Sequence, residues 1–291
     1  VSQILHNEVR MFAEYIQPTA EEHLVRELVV ERIKRSVQSI WGNGAVARAF
    51  GSYATKMYLP AGDIDICVVF SDPSMTSSKP AVQRALNRLA SELRKQGVPK
   101  ELMVIGKARV PIIKLTERIT GIKIDISMSS LTGLQCIPLV LQYAHGEFPD
   151  GLQPLVMAIK HFLAMRKMNE VFTGGLGSYA TILLAVSMLQ MHPLLQSGRI
   201  KASNNLGVLL LEFFELYGQR FNYERVGVCV NHGGSYFDKL QAGFGNDKQA
   251  DMLCIRDPLD STNDVARSTF GMHKVRRAFE QAYNILTTVM Y

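Results

Sequence analysis

Two aspartates, Asp63 and Asp65, stand one residue apart in Gly62-Asp-Ile-Asp-Ile-Cys67. In an extended chain, positions i and i+2 share a face, so both carboxylates point one way while Ile64, Ile66 and Val68 point the other. A third carboxylate, Asp125, lies in Gly121-Ile-Lys-Ile-Asp-Ile-Ser127, where isoleucines alternate with Lys123, Asp125 and Ser127. If the two strands are neighbours, three carboxylates converge. Like charges raise one another's pKa, and a divalent cation is the ordinary remedy. Mg2+ takes carboxylate oxygens, keeps some waters and binds substrate phosphates; a pair of such ions serves in-line phosphoryl transfer. A solvated strand edge accounts equally well for a lone Asp-x-Asp. The matching alternation around Asp125 is what favours a metal cradle. Upstream, Gly51 permits close backbone approach to a phosphate, and the Ser52 hydroxyl with neighbouring N–H groups can bind its oxygens.

The elements that must position these residues are legible. Thr19 with Glu22 three residues on forms a capping box, which predicts a helix running to about residue 40, with Leu24, Leu28, Ile33 and Val37 on its apolar stripe. Gly42-Asn43-Gly44 breaks it. Strands are expected at 45–50, 64–70, 101–105, 110–115 and 121–129, with a helix at 81–96 closed by Gly97. Beyond residue 135 the pattern becomes helical: 135–145, 152–167, 176–191, 204–217 and 273–290. The strand-rich half therefore precedes a helical half, and the first 16 residues form a helix expected to pack on the latter.

Composition narrows the class. A chain of 291 residues that is 47% hydrophobic fills more than one small core, so two domains are expected. It opens on Val1, so a fragment of a longer protein is expected. The net charge of +6 suits a polyanionic partner, although solvated helix faces account for most of the basic runs. Cys67, Cys136, Cys229 and Cys254 show no zinc spacing and read as free thiols of a reducing compartment. The most apolar stretches, 181–191 and 206–216, are too short to span a bilayer, and no membrane partner is expected.

Phe50-Gly51-Ser52, Asp63-Ile64-Asp65 and Asp125 together resemble the signature of the polymerase-β-like nucleotidyltransferases. Three further motifs, Phe172-Thr-Gly-Gly-Leu-Gly-Ser-Tyr179, the Asn205–Gly218 stretch and Ile255-Arg-Asp-Pro-Leu-Asp-Ser-Thr-Asn-Asp-Val-Ala-Arg267, resemble the TRAMP-type poly(A) RNA polymerases. The resemblance covers essentially the whole chain. It implies an α+β fold: a nucleotidyltransferase catalytic domain over 20–147, with a mixed sheet and helices. A mostly helical central domain built from 1–19 and 148–291 would accompany it, with ATP in the cleft between them. It implies template-independent addition of AMP to RNA 3′ ends. Asp63, Asp65 and Asp125 would hold Mg2+ or Mn2+, and Asp125 would also help activate the RNA 3′-hydroxyl. Gly51 and Ser52 would meet phosphate, Lys160 the β/γ-phosphates, Ser178 a phosphate, and Tyr179 would stack on the base. Asp260 and Asn263, in the nucleotide recognition motif, would govern base choice.

Read without the family, Lys160 suits a snorkelling helix lysine, Ser178 a helix start, Tyr179 a core position and Asn263 a turn. Gly174-Gly175-Leu176-Gly177 is not a P-loop, because no Lys-Ser/Thr follows at the required spacing. Related uridylyltransferases carry a second lysine where Ala164 stands, Asn-Thr where Cys136-Ile137 stands, and His at the position of Asn263. The alternatives are uridylyl transfer and a catalytically silent scaffold of the same fold. No zinc knuckle or separate RNA-binding module is recognised, so an accessory RNA-binding or helicase subunit is expected. Nuclear residence is favoured, with the cytoplasm as the alternative.

Overall fold

The computed structural model describes residues 2–108, 110–128, 131–244 and 251–290. Arg109 of a basic run and Ser129 at an expected strand end lie outside them. Two compact units emerge, residues 17–139 and residues 1–16 with 140–291. The chain opens with α1 (Ser2–Ile16), which belongs to the second unit, and then enters the first.

In the first unit, Thr19 caps α2 (Ala20–Trp41): its hydroxyl accepts from the Glu22 N–H while Glu22 accepts from the Thr19 N–H, completing the capping box. Then follow β1 (Ala45–Phe50), the one-turn α3 (Gly51–Ala54), β2 (Ile64–Phe70), α4 (Lys79–Lys95), β3 (Pro99–Ile105), β4 (Ile112–Glu117), β5 (Lys123–Met128) and α5 (Leu131–Leu141). The five strands form one mixed sheet in the order β1-β2-β5-β4-β3. Only β2 and β5 run parallel; the other pairs are antiparallel. Ile64, Ile66, Ile124 and Ile126 are fully buried against Ile33 and Val37 of α2 and Leu86, Leu89 and Leu93 of α4. Each such side chain contributes about 1.5–3 kcal/mol through burial, so the alternation that turns isoleucines inward also fixes which residues turn out.

The α2 stripe differs from the expectation. Leu24 and Leu28 are 56% and 63% exposed, and the buried side is Arg26, Val29, Val30, Ile33 and Val37. Arg26 takes the inward place because two carbonyls satisfy it. Its guanidinium donates to Gly62 O at 2.8 Å and Pro60 O at 2.7 Å, and lies over the Tyr58 ring.

The second unit packs α1 with α6 (Leu152–Met165), α7 (Ser178–Met191), the short α8 (Pro193–Gln196), α9 (Leu206–Glu215) and α10 (Met272–Met290). Its core is aromatic: Phe162, Phe213, Phe214, Tyr217 and Phe279 meet ring to ring. A small hairpin, β6 (Val226–Cys229) and β7 (Ser235–Asp238), had no counterpart in the sequence expectation. No described helix is long and apolar enough to cross a membrane.

Candidate active site

The parallel pairing of β2 and β5 sets Asp65 directly opposite Asp125, and the antiparallel pairing of β1 and β2 sets Phe50 opposite Asp65. Gly51 therefore leaves β1 beside the Asp65 carboxylate. Its φ is +66°, and a Cβ placed there would stand 2.5 Å from Asp65 Oδ2. Only glycine adopts this conformation freely and leaves that space. Ser52 follows on α3, half-buried. Asp63 sits at the mouth of β2, in a loop that Arg26 ties to α2 through the carbonyls of Pro60 and Gly62. His23 Nδ1 shares a 3.0 Å hydrogen bond with the Tyr58 hydroxyl in the same loop. The flexible-looking approach to the acidic pair is thus held at several points.

Electrostatics couple two of the carboxylates, Asp63 and Asp125. Burial raises the pKa of Asp125; Lys114 opposes this, and the negative charge of Asp63 adds to it. Lys114 stands opposite Asp125 across β4 and β5, with Nζ 2.7 Å from Oδ2. Sequence reasoning missed this lysine. The signal was the alternation Ile112-Ile-Lys-Leu-Thr, which puts Lys114 on the face of Asp125.

Among the described residues, no three His, Cys, Asp or Glu side chains close into a metal cage. The donor set nonetheless suits a hard divalent cation: three carboxylates on neighbouring strand ends, one of them with a raised pKa. The backbone at Gly51 adds a cradle that any Cβ would fill.

In the second unit, Lys160 of α6 is 9% exposed. Ser178 and Tyr179 open α7, with Gly177 as the N-cap, so Ser178 is not itself the cap. The Gly-Gly-x-Gly run has a packing role. A Cβ on Gly175 would lie 2.4 Å from Met168 O, and Gly174 O accepts from Gly271 N at 2.9 Å. His161 packs edge-on against Phe12, and His192 bonds Glu212 at 2.9 Å.

The 255–267 segment is a tied loop. Asp264 Oδ1 accepts from the N–H groups of Ile255 and Ala266, each at 2.9 Å. Asn263 Nδ2 donates to Asp257 Oδ2 at 2.9 Å, and Asp257 Oδ1 accepts from Leu259 N. One N–H of the Asn263 amide is therefore committed to the loop, and its second N–H and carbonyl oxygen are the groups left for a base. Asp257, 2% exposed, was not singled out from sequence, although its place before a Pro in an Asp-rich turn was the available signal. Asp260 is exposed and closes a turn on Thr262, which lowers its pKa.

Two family models match the chain: the central palm domain of mitochondrial-like poly(A) RNA polymerases over residues 5–145, and the Cid1 family of poly(A) polymerases over 205–263. The poly(A) RNA polymerase cid14 of Schizosaccharomyces pombe is 42% identical over 291 residues, 100% of this chain and 42% of that protein. The chain thus spans less than half the length of that relative. An inactive poly(A) RNA polymerase protein, Trf4-2 of Drosophila melanogaster, is 35% identical, over 98% of this chain and 67% of its own length. Among solved structures, the polymerase core of TRAMP, an RNA surveillance complex, superposes with a TM-score of 0.87 at 37% identity, covering 99% of this chain and 87% of that one.

Proposed function

Because the chain belongs to the TRAMP-type poly(A) RNA polymerases of the polymerase-β-like nucleotidyltransferase superfamily, we propose that it adds AMP from ATP to RNA 3′ ends without a template. The observation that carries this reading is the face-to-face register of Asp65 and Asp125, with Asp63 electrostatically coupled to Asp125. A chain that kept the fold without the chemistry would have no reason to hold repelling carboxylates together.

In this reaction the RNA 3′-oxygen attacks the α-phosphate of ATP, the bond to the β-phosphate breaks, and pyrophosphate leaves. Asp125 takes the 3′-hydroxyl proton; a raised pKa suits a carboxylate to that task. Asp63, Asp65 and Asp125 would hold Mg2+ or Mn2+, which when bound supplies positive charge to the phosphate oxygens. Gly51 gives the backbone room beside Asp65, and Ser52 donates to a phosphate oxygen. Lys160 and Ser178 bind the triphosphate, Tyr179 stacks on adenine, and Asn263, set by Asp257 with Asp260 nearby, reads the base. Likeness to the polymerase core of an RNA surveillance complex supports work in RNA surveillance within a complex; an accessory helicase or RNA-binding subunit and residence in the nucleus rather than the cytoplasm belong to the same proposal.

The test is extension of a labelled oligo(A) with each of the four nucleoside triphosphates and Mg2+. AMP addition that disappears in the Asp63→Ala/Asp65→Ala double variant, at undiminished thermal stability, is the expected result. Preferential UMP addition would instead make the chain a uridylyltransferase. Failure with all four nucleotides would make it a silent scaffold, in line with the fly relative named inactive.

A further inference from the structure

Among the described residues, strand β1 forms an edge of the sheet, pairing with β2 alone. An open edge turns backbone N–H and C=O groups outward and is a template for one more strand. A groove of about 800 Å³ runs beside it. Residues 45–49 of β1 line it, together with Lys34 and Gln38 of α2 and with Leu134, Ile137 and Pro138 of α5.

The sequence shapes this edge. Alanines at 45, 47 and 49 keep β1 thin, while Val46 and Arg48 point outward and are exposed. Pro138 sits inside α5 and has no N–H to donate to the Leu134 carbonyl. The six residues of β1 extend about 20 Å at strand rise, enough for a five- or six-residue partner. Of the two cations lining the groove, Lys34 is held by Glu31 at 2.5 Å. The Arg48 guanidinium forms no ion pair among the described residues.

We propose that this groove docks an extended peptide segment of a partner protein, added to β1 as a further strand, with an acidic side chain set against Arg48. Strand addition gives affinity through the backbone, and the alternate pockets give specificity. Here the pockets are apolar, formed by Val46, Leu134 and Ile137, with one charge to be matched. Single-stranded RNA is the poorer occupant, because among the described residues the groove is lined by two cations, one of them paired, and polyanion binding draws its strength from several. The surface lies wholly within residues 17–139, and Arg48 stands on the sheet face of Asp65, two residues along β1 from the Phe50–Asp65 pair.

The experiment selects phage-displayed random heptapeptides on the whole chain and remakes the enriched peptides as fluorescent probes. Enriched sequences are expected to alternate β-branched or aromatic residues with polar ones and to carry Asp or Glu. Binding should increase hydrogen-exchange protection of amides 45–49. Arg48→Glu should weaken binding at least about tenfold, and replacing the peptide acid with lysine should restore it. Arg48 is exposed, so the fold is expected to survive; Arg48→Gln serves as the second variant. The proposal is overturned if no peptide is enriched, if protection falls elsewhere, or if affinity is unchanged in both Arg48 variants. Protection of 45–49 by labelled oligo(A) and not by peptide would assign the groove to RNA and overturn it equally.

Discussion

Lys114 Nζ lies 2.7 Å from Asp125 Oδ2, across the β4–β5 pair, so the carboxylate with the raised pKa has its own counter-ion. Removing that charge leaves burial and Asp63 unopposed. In Lys114→Ala, Asp125 should therefore protonate at higher pH. The acidic limb of the tailing rate profile is expected to move upward, and Lys114→Arg should move it back. An acidic limb that stays in place in Lys114→Ala would show that Asp125 does not govern it.

Asp63→Asn tests the repulsion from the other side. A carboxylate whose folded pKa lies above its unfolded value binds protons more tightly when folded, so it costs stability as pH rises past the unfolded value. Relieving Asp125 of the Asp63 charge should raise the melting temperature at pH 7, with the gain shrinking as pH falls into the carboxylate range. Thermal melts from pH 4 to pH 8 read this directly. A loss of stability at pH 7 would mean that Asp63 is structural.

Gly51→Ala places a methyl group 2.5 Å from Asp65 Oδ2, at a φ of +66°. The left-handed conformation alone costs about 1–2 kcal/mol, and the contact adds to it. Denaturant unfolding should show at least that loss. Tailing should fall further than stability accounts for, because Asp65 must move.

Asn263→His should shift nucleotide choice toward UTP. The larger ring crowds a purine and gives up the bond that Asn263 makes to Asp257. One base contact is worth about 1–3 kcal/mol, so the ratio of kcat/KM for ATP and UTP on one primer should move by about tenfold or more. Asp257→Ala frees the Asn263 amide and should blunt ATP selectivity without reversing it. A ratio unmoved in a folded, active Asn263→His variant would place base choice elsewhere.

Strands β1 and β2 match the sequence expectation to the residue, and the reason is local. Gly42-Asn43-Gly44 and Gly51 bracket one, Gly62 and the Asp72-Pro73 turn the other, and alternation does the rest. The register of Asp65 with Asp125 was legible only as a condition, because it depends on β2 and β5 pairing in parallel, which nothing local dictates. The C-terminal half of the α2 stripe, Ile33 and Val37, is buried as expected, but Leu24 and Leu28 are exposed because an arginine went inward. A periodicity argument counts apolar side chains and cannot see that the carbonyls of Pro60 and Gly62 await Arg26. The hairpin of β6 and β7 escaped for a related reason: its strands are four residues each, and β6 draws a partner from afar, with Val228 N donating to Cys254 O. Lys114 and Asp257 stood in plain sight, but each becomes meaningful only through a partner that the fold supplies.

The separation between α1 and its partners has a consequence for synthesis. His6, buried in the unit that holds α9, accepts from the Leu206 N–H at 3.1 Å, across 200 positions of sequence. At translation rates of about 5–20 residues per second, α1 emerges about 10–40 s before α9 exists. During that interval the strand-rich unit is made in full, while Val9, Ala13 and Ile16, which end up buried, have no helix to cover them. Helix α1 thus leaves the ribosome well before the helix that covers it, and the nascent chain carries an apolar stripe that a chaperone can hold until then.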